Sequence, residues 1–487
     1  MNLKQKAAKG VAWSAIESLG TQAIYFVVFL VLARLLQPEV FGLVSLAGVF
    51  ISFMTVFADQ GLSDAIVQRQ ELEPEHLDTA FWINLAISAL LTIVAFVAAA
   101  PVSIFFKQPQ LTPIIAWLSL NFLSNGFCSV QQSLLRRQLA FKALAVRSLL
   151  ATSIGGIVGV VMAYMGYGVW SLVGQQLVNR LVTILALWWV SDWRPGLKVS
   201  VKHFKDLFSF GINILAGSIL VFFSVRSDDF LIGYFLGPVA LGYYTIAYRL
   251  LVAMTQILNA TIRQVALPMF SRLQKEPEQL QRAFFKATQL ISFITFPAFL
   301  GAATLAPEII QSLFGKQWIA SAPVMQFLAL SGVPQSVFTV SGLVLVAVGK
   351  PSWNLRIMFL STMVNVTGFL IAVKWGIVAV AASFAIRAYL LSPVQIWAIY
   401  KLLRLKLTTY FYQFAAPLAG SLLMVLVVLA AKYFFSPLMN TQTLLVVCIS
   451  IGAAIYTATL LAIAPKVFWQ VVDFASLTLG ISKLKKT

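Results

Sequence analysis

Five arginines stand inside apolar stretches of this sequence: Arg180, Arg226, Arg249, Arg263 and Arg387. A guanidinium is planar, permanently charged and able to grip a phosphate or carboxylate through two parallel hydrogen bonds. At a bilayer centre such a charge costs about 2.5–3.5 kcal/mol on the translocon scale, so it is kept there by an acid or by a wet cavity. The acids in the same stretches are Glu17, Asp59, Asp64, Asp228 and Asp229.

Spacing decides which of these charges can meet. Arg226 and Asp229 are three residues apart and share one helical face. Asp228 lies nine residues before Gly237 and Arg249 eleven after Pro238, a Gly-Pro step that marks a turn. At a rise of 1.5 Å per residue both fall about 14–17 Å below that turn, so a cross-hairpin pair is expected. Such a network either only neutralises itself or also presents Arg226 and Arg249 to an anion. Arg180 and Arg387 each follow a glycine, Gly168 or Gly376, by about a dozen residues and have no acid nearby in sequence. That isolation favours cavity lining over scaffolding. Glu17 is a candidate for proton or cation coupling, with a paired structural acid as the alternative. Asp59 and Arg263 fall at comparable depth past their turns and form a candidate inner gate; two separate contacts are the alternative.

These charges need long apolar helices to hold them. Of the 487 residues 60% are hydrophobic and 10% charged, against about 45–50% and about 25% in a soluble domain. The chain is an all-α polytopic membrane protein. Spans of about 20 residues are expected near residues 22, 51, 90, 124, 154, 179, 221, 250, 294, 334, 363, 388, 422 and 452. With a cytoplasmic N-terminus, 25 of the 35 Lys and Arg fall on inside segments, 5 on outside turns and 5 within spans. The inside set includes Arg136, Arg137, Lys142 and Arg147. This bias places both termini in the cytoplasm. It also explains most of the +19 net charge, which leaves little for a nucleic-acid reading. The two cysteines and two histidines form no ligand-spaced cluster, so neither a metal nor a disulfide framework is expected. No cofactor motif and no Walker A sequence is visible.

The chain repeats itself. At an offset of 200, Leu36 meets Leu236, Pro38 meets Pro238, Gly42 meets Gly242 and Ala47 meets Ala247. Farther on, Gly168 matches Gly376 and, after a one-residue slip, Arg180 matches Arg387. Six helices per half make two parallel repeats with a midplane site between them. The expected parts are a six-helix lobe over 1–200, a second over 201–407, two additional spans over 408–464 and a basic amphipathic tail over 465–487, resting on anionic lipid.

The stretches KGVAWSAIESLGTQAIYFVVFLVLARLLQPEVFGLVSLA, FADQGLSDAIVQRQE and DDFLIGYFLGPVALGYYTIAYRL resemble polysaccharide flippases of the multidrug/oligosaccharidyl-lipid/polysaccharide superfamily. The group most similar is the Wzx-type, colanic-acid exporter-like proteins, over roughly residues 8–405. The resemblance implies a V-shaped transporter with a cation-lined cavity. Its substrate would be an undecaprenyl-pyrophosphate-linked oligosaccharide, moved across the bacterial cytoplasmic membrane by alternating access. It also implies coupling to H⁺, Na⁺ or the membrane potential, and work beside a polysaccharide polymerase and export machinery. A lipid II flippase or a multidrug-type cation antiporter of the same superfamily is the near alternative. A membrane glycosyltransferase or polymerase is the distant one, and short outer loops with few acids argue against it.

Overall fold

The computed structural model describes residues 3–58, 66–67, 69, 72–198, 211–465 and 468–469, with backbone only at 3–8, 211–216 and 259–265. Among the described residues every regular element is helical. Contacts divide the chain into two units, Met1–Thr245 and Ile246–Thr487.

The first unit opens with α1 (Leu3–Leu35) and α2 (Pro38–Ala58), followed by α3 (Pro74–Phe105) and α4 (Leu111–Arg137). It continues with α5 (Phe141–Tyr164), α6 (Val169–Val190) and the first part of α7 (Gly211–Arg272). Pro38 and Pro74 sit at helix starts, where a missing N–H costs nothing. Small residues set the helix approach. A methyl at Gly156 would meet Val28 at 2.5 Å, and one at Gly155 would meet the Gln175 carbonyl at 2.8 Å. The glycines of SIGGIVG are thus packing residues, seating α5 against α1 on one side and α6 on the other. His76 is buried in the first turn of α3, where its Nδ1 accepts the Glu73 N–H at 3.3 Å.

α7 is interrupted at Gly237 (φ 82°, ψ 179°), a conformation that penalises any side chain. This is the turn expected from Gly237-Pro238. Here the repeat is visible as contact. Gly42 of α2 lies against the Pro238 carbonyl, and Gly242 of α7 lies against the Pro38 carbonyl. Between them Ser45 and Thr245, themselves 200 apart, share a hydrogen bond of 3.1 Å. Residue i touches j while the mate of i touches the mate of j, which is the signature of a local twofold axis. The offset of 200 is therefore physical.

The second unit contains the rest of α7, then α8 (Pro277–Thr304), α9 (Ala306–Phe314), α10 (Ser321–Ala347) and α11 (Pro351–Ala372). α12 (Ile377–Leu390), α13 (Ser392–Leu403), α14 (Leu407–Phe435) and α15 (Thr441–Ile463) complete it. Pro297 and Pro334 lie within α8 and α10, whereas Pro393 sits in the first turn of α13 and helps separate it from α12. α14 and α15 pack on α8 around Phe293, Met424, Cys448 and Tyr456, and Lys432 of α14 pairs with the buried Glu308 of α9 at 2.8 Å.

Twelve helices among the described residues are long and apolar enough to cross a membrane, so this is a multi-pass membrane protein. The expected number was fourteen, and two places account for the difference. Residues 217–258 form one candidate although they are broken at Gly237. α6 is not among the twelve; Gln175, Gln176, Asn179 and Arg180 dilute its apolar sequence.

Candidate functional site

Gly168 and Gly376, the matched glycines of the repeat, both adopt positive φ, 54° and 90°, immediately before α6 and α12. Each turn aims a helix that carries an arginine, Arg180 twelve residues past Gly168 and Arg387 eleven past Gly376, about 17–18 Å down the axis. The two arginines then differ. Arg180 is exposed and makes no hydrogen bond or ion pair among the described residues. Arg387 is half-buried, stacks on Phe384 with its guanidinium carbon 4.7 Å from the ring centre, and donates from Nη1 to Ser361 Oγ at 2.5 Å. Stacking fixes the plane of the fork.

A second cluster forms on α7. Arg226 Nη1 donates to Asp229 Oδ2 at 2.9 Å, the pair that their spacing anticipates. Asp228, 4% exposed, departs from expectation. The cross-hairpin pair with Arg249 gives way to Tyr244, whose hydroxyl donates to Asp228 Oδ2 at 2.8 Å, while the Asp229 N–H donates to Oδ1 at 2.9 Å. Depth arguments cannot choose among donors at one level, and the rigid phenol of Tyr244 reaches the acid within the hairpin. Arg249 is exposed and lies in the second unit.

Tyr244→Phe removes the side-chain donor to a buried carboxylate and is expected to cost about 1–3 kcal/mol. A lowered melting temperature of purified Tyr244→Phe, with Asp228→Asn restoring part of it, is the expected result. An unchanged melting point would remove Tyr244 from the account.

Glu17 of α1 is bound. It accepts from Ser148 Oγ at 2.5 Å and lies 3.6 Å from Arg147, both on α5. Arg147 was counted among the cytoplasmic loop charges; its side chain is only 11% exposed and sits well inside α5. The clue available in sequence was the apolar run that follows Arg147 at once. The candidate gate lies outside what is described, since Asp59 and the side chain of Arg263 are not among the described residues. A surface groove at the α7–α8 turn, lined by Leu273, Glu276, Gln279 and Arg282, contains none of these intramembrane charges. No group of three or more His, Cys, Asp or Glu suited to a metal occurs among the described residues.

Residues 31–323 match the family model described as "Polysaccharide biosynthesis protein". The chain is 28% identical to the succinoglycan biosynthesis transport protein ExoT of Rhizobium meliloti, covering 96% of this chain and 95% of that protein. It is 28% identical to the lipopolysaccharide biosynthesis protein WzxC of Escherichia coli, over 71% of each. Among solved structures, the lipid II flippase MurJ in an inward closed conformation superposes with a TM-score of 0.76 at 13% identity, covering 94% of this chain and 99% of that one. A multidrug resistance MATE family transporter of the MOP superfamily follows at 0.61 and 18%, over 81% and 98%. These two likenesses show the fold, and with the relatives they bear out the resemblance read from the sequence. By the match over residues 31–323, the chain belongs to the polysaccharide biosynthesis protein family.

Proposed function

We propose that this chain is a flippase that carries an undecaprenyl-pyrophosphate-linked oligosaccharide repeat unit across the bacterial cytoplasmic membrane, by alternating access, for polysaccharide biosynthesis. The observation that carries the reading is Arg180: an exposed arginine in an apolar helix, without a hydrogen bond or ion pair among the described residues. A charge in that position is costly until an anion visits it. A relative named for transport in succinoglycan biosynthesis, similar along 95% of its length, supports the same reading.

In this scheme Arg180 and Arg387 grip the pyrophosphate, Arg387 from a plane already set by Phe384. Arg226 and Arg249 are secondary contacts for it, and the acids Asp228, Asp229 and Glu17 balance charge or couple an ion such as H⁺ or Na⁺. Asp59 and Arg263 are retained as the candidate inner gate. The working parts are the six-helix halves 1–200 and 201–407, with 408–464 as an added pair and 465–487 on the inner leaflet. The chain supplies binding and movement and performs no bond chemistry, and a polymerase and export machinery take up its product.

The reading is tested by complementation. The chain is expected to restore polysaccharide export in a strain lacking its own flippase gene and to copurify with polyprenyl-pyrophosphate glycan. Copurification with small organic cations and no rescue would contradict it. The topology is tested separately. Single cysteines at positions 3 and 484 of a cysteine-free version are expected to resist an impermeant thiol reagent in intact cells, because the basic segments favour the cytoplasmic side. Labelling of either would reverse the assignment.

A further inference from the structure

Arg147 is bonded far below its capacity. A guanidinium carries five N–H donors. Nη2 donates to Ser148 Oγ at 2.7 Å, Nη1 reaches Gln132 Oε1 at 3.4 Å, and Nε is buried without an acceptor. Its carboxylate neighbour does not close the gap. Glu17 stands at 3.6 Å, outside hydrogen-bonding distance, whereas a fork-to-fork pair would sit at about 2.7–2.9 Å. The contact runs through Ser148, whose hydroxyl accepts from Arg147 and donates to Glu17 at 2.5 Å. Glu17 therefore keeps a strong bond of its own if Arg147 turns away.

A second arginine stands on the neighbouring helix. Arg180 is on α6, the helix that packs against α5 through Gly155 and Gly159. Gly155 packs against Asn179, and Gly159 against Gln175, so α5 and α6 run antiparallel in register. Arg180 thus stands about 10 Å from Arg147 along the helix axes, by the 1.5 Å rise. Glu17 is the carboxylate beside Arg147, and Arg180 makes no ion pair among the described residues.

We propose that Arg147 is a second phosphoryl-binding arginine of the first unit, and that Glu17, held through Ser148, is the counter-charge an arriving anion displaces. The idea rests on the flippase reading for the identity of that anion, the pyrophosphate of the lipid-linked substrate. Phosphate competes for the guanidinium with better geometry than Glu17 offers, because it accepts on two edges at once. Glu17 stays on Ser148 and reclaims Arg147 when the anion leaves. The order of depth makes Arg147 the inner contact and Arg180 the outer one, so the anion passes from one fork to the next.

The test is binding of inorganic pyrophosphate to the purified full chain in nanodiscs, followed calorimetrically, with a melting curve for every variant. Glu17→Gln leaves Arg147 without its counter-charge and is expected to tighten binding about fivefold. Arg147→Gln is expected to weaken it at least tenfold, and Arg147→Lys several-fold because charge remains but the fork is lost. The double variant Glu17→Gln/Arg147→Gln is expected to bind no better than Arg147→Gln. Should Glu17→Gln fail to fold, Ser148→Ala, which cuts the relay, is expected to tighten binding as well. Unchanged or weaker binding in folded Glu17→Gln or Ser148→Ala, or wild-type binding in Arg147→Gln, would overturn the proposal. Export in the complemented strain separates the two ideas. Altered pyrophosphate binding without any export by the unaltered chain would keep this site and reject the flippase reading. Export with pyrophosphate binding indifferent to Arg147 would do the reverse.

Discussion

Gly42→Ala and Gly242→Ala are each expected to disable the protein, and by similar amounts. A methyl at Gly42 would overlap the Pro238 carbonyl oxygen, and one at Gly242 the Pro38 carbonyl oxygen. Both obstacles are backbone, so no side chain can turn aside, and α2 and α7 must separate. Overpacking usually costs about 1–3 kcal/mol, and backbone contact places these two at or beyond the upper end. The separation also breaks the Ser45–Thr245 hydrogen bond, which spans the same crossing. Gly48→Ala is the control, because a methyl there meets nothing within 4 Å; it is expected to be neutral, or stabilising by about 0.5–1 kcal/mol through helix propensity. Membrane yield and melting temperature decide it. Wild-type values for both Gly42→Ala and Gly242→Ala would mean that the crossing is looser than described.

Arg180→Gln is expected to leave membrane yield unchanged and to reduce polysaccharide export at least tenfold. Its side chain contributes no hydrogen bond or ion pair among the described residues, so folding loses little when it goes. A hydrogen bond to a charged group is worth about 1.5–3 kcal/mol, or roughly 10- to 150-fold in binding. Arg180→Lys keeps the charge without the bidentate fork and should fall between. Arg387→Gln is expected to lose export too, but with a lowered melting temperature, since Arg387 also holds Phe384 and Ser361. That contrast between mates of one repeat separates a binding arginine from a braced one. Equal melting temperatures and full export in both would make these arginines scaffolding.

Most of the frame could be read from the residues. Hydropathy shows long membrane helices, Gly237-Pro238 marks a turn, and the three-residue spacing of Arg226 and Asp229 yields their pair. The offset of 200 rested on a handful of identities, and its proof is the reciprocal contact of Gly42 with Pro238 and Gly242 with Pro38. Arg147 was hidden by its company. Counting charges by loop swept it in with Arg136, Arg137 and Lys142, although α5 begins six residues before it. Tyr244 was missed because a charge-first search pairs acids with bases, whereas a buried carboxylate can equally be held by neutral donors. The divergence of Arg180 from Arg387 lies in the neighbours that α11 and α12 supply, Ser361 and Phe384, and no one-helix reading reveals it.

The most direct test of the central claim is translocation itself. The purified chain is reconstituted in liposomes carrying a polyprenyl-pyrophosphate-linked oligosaccharide on one leaflet, and a lectin reports the glycan reaching the other. The expected result is transfer by the wild-type protein well above protein-free vesicles, lost in Arg180→Gln at equal protein content. Transfer no faster than in empty vesicles, or equal transfer by Arg180→Gln, would contradict the account.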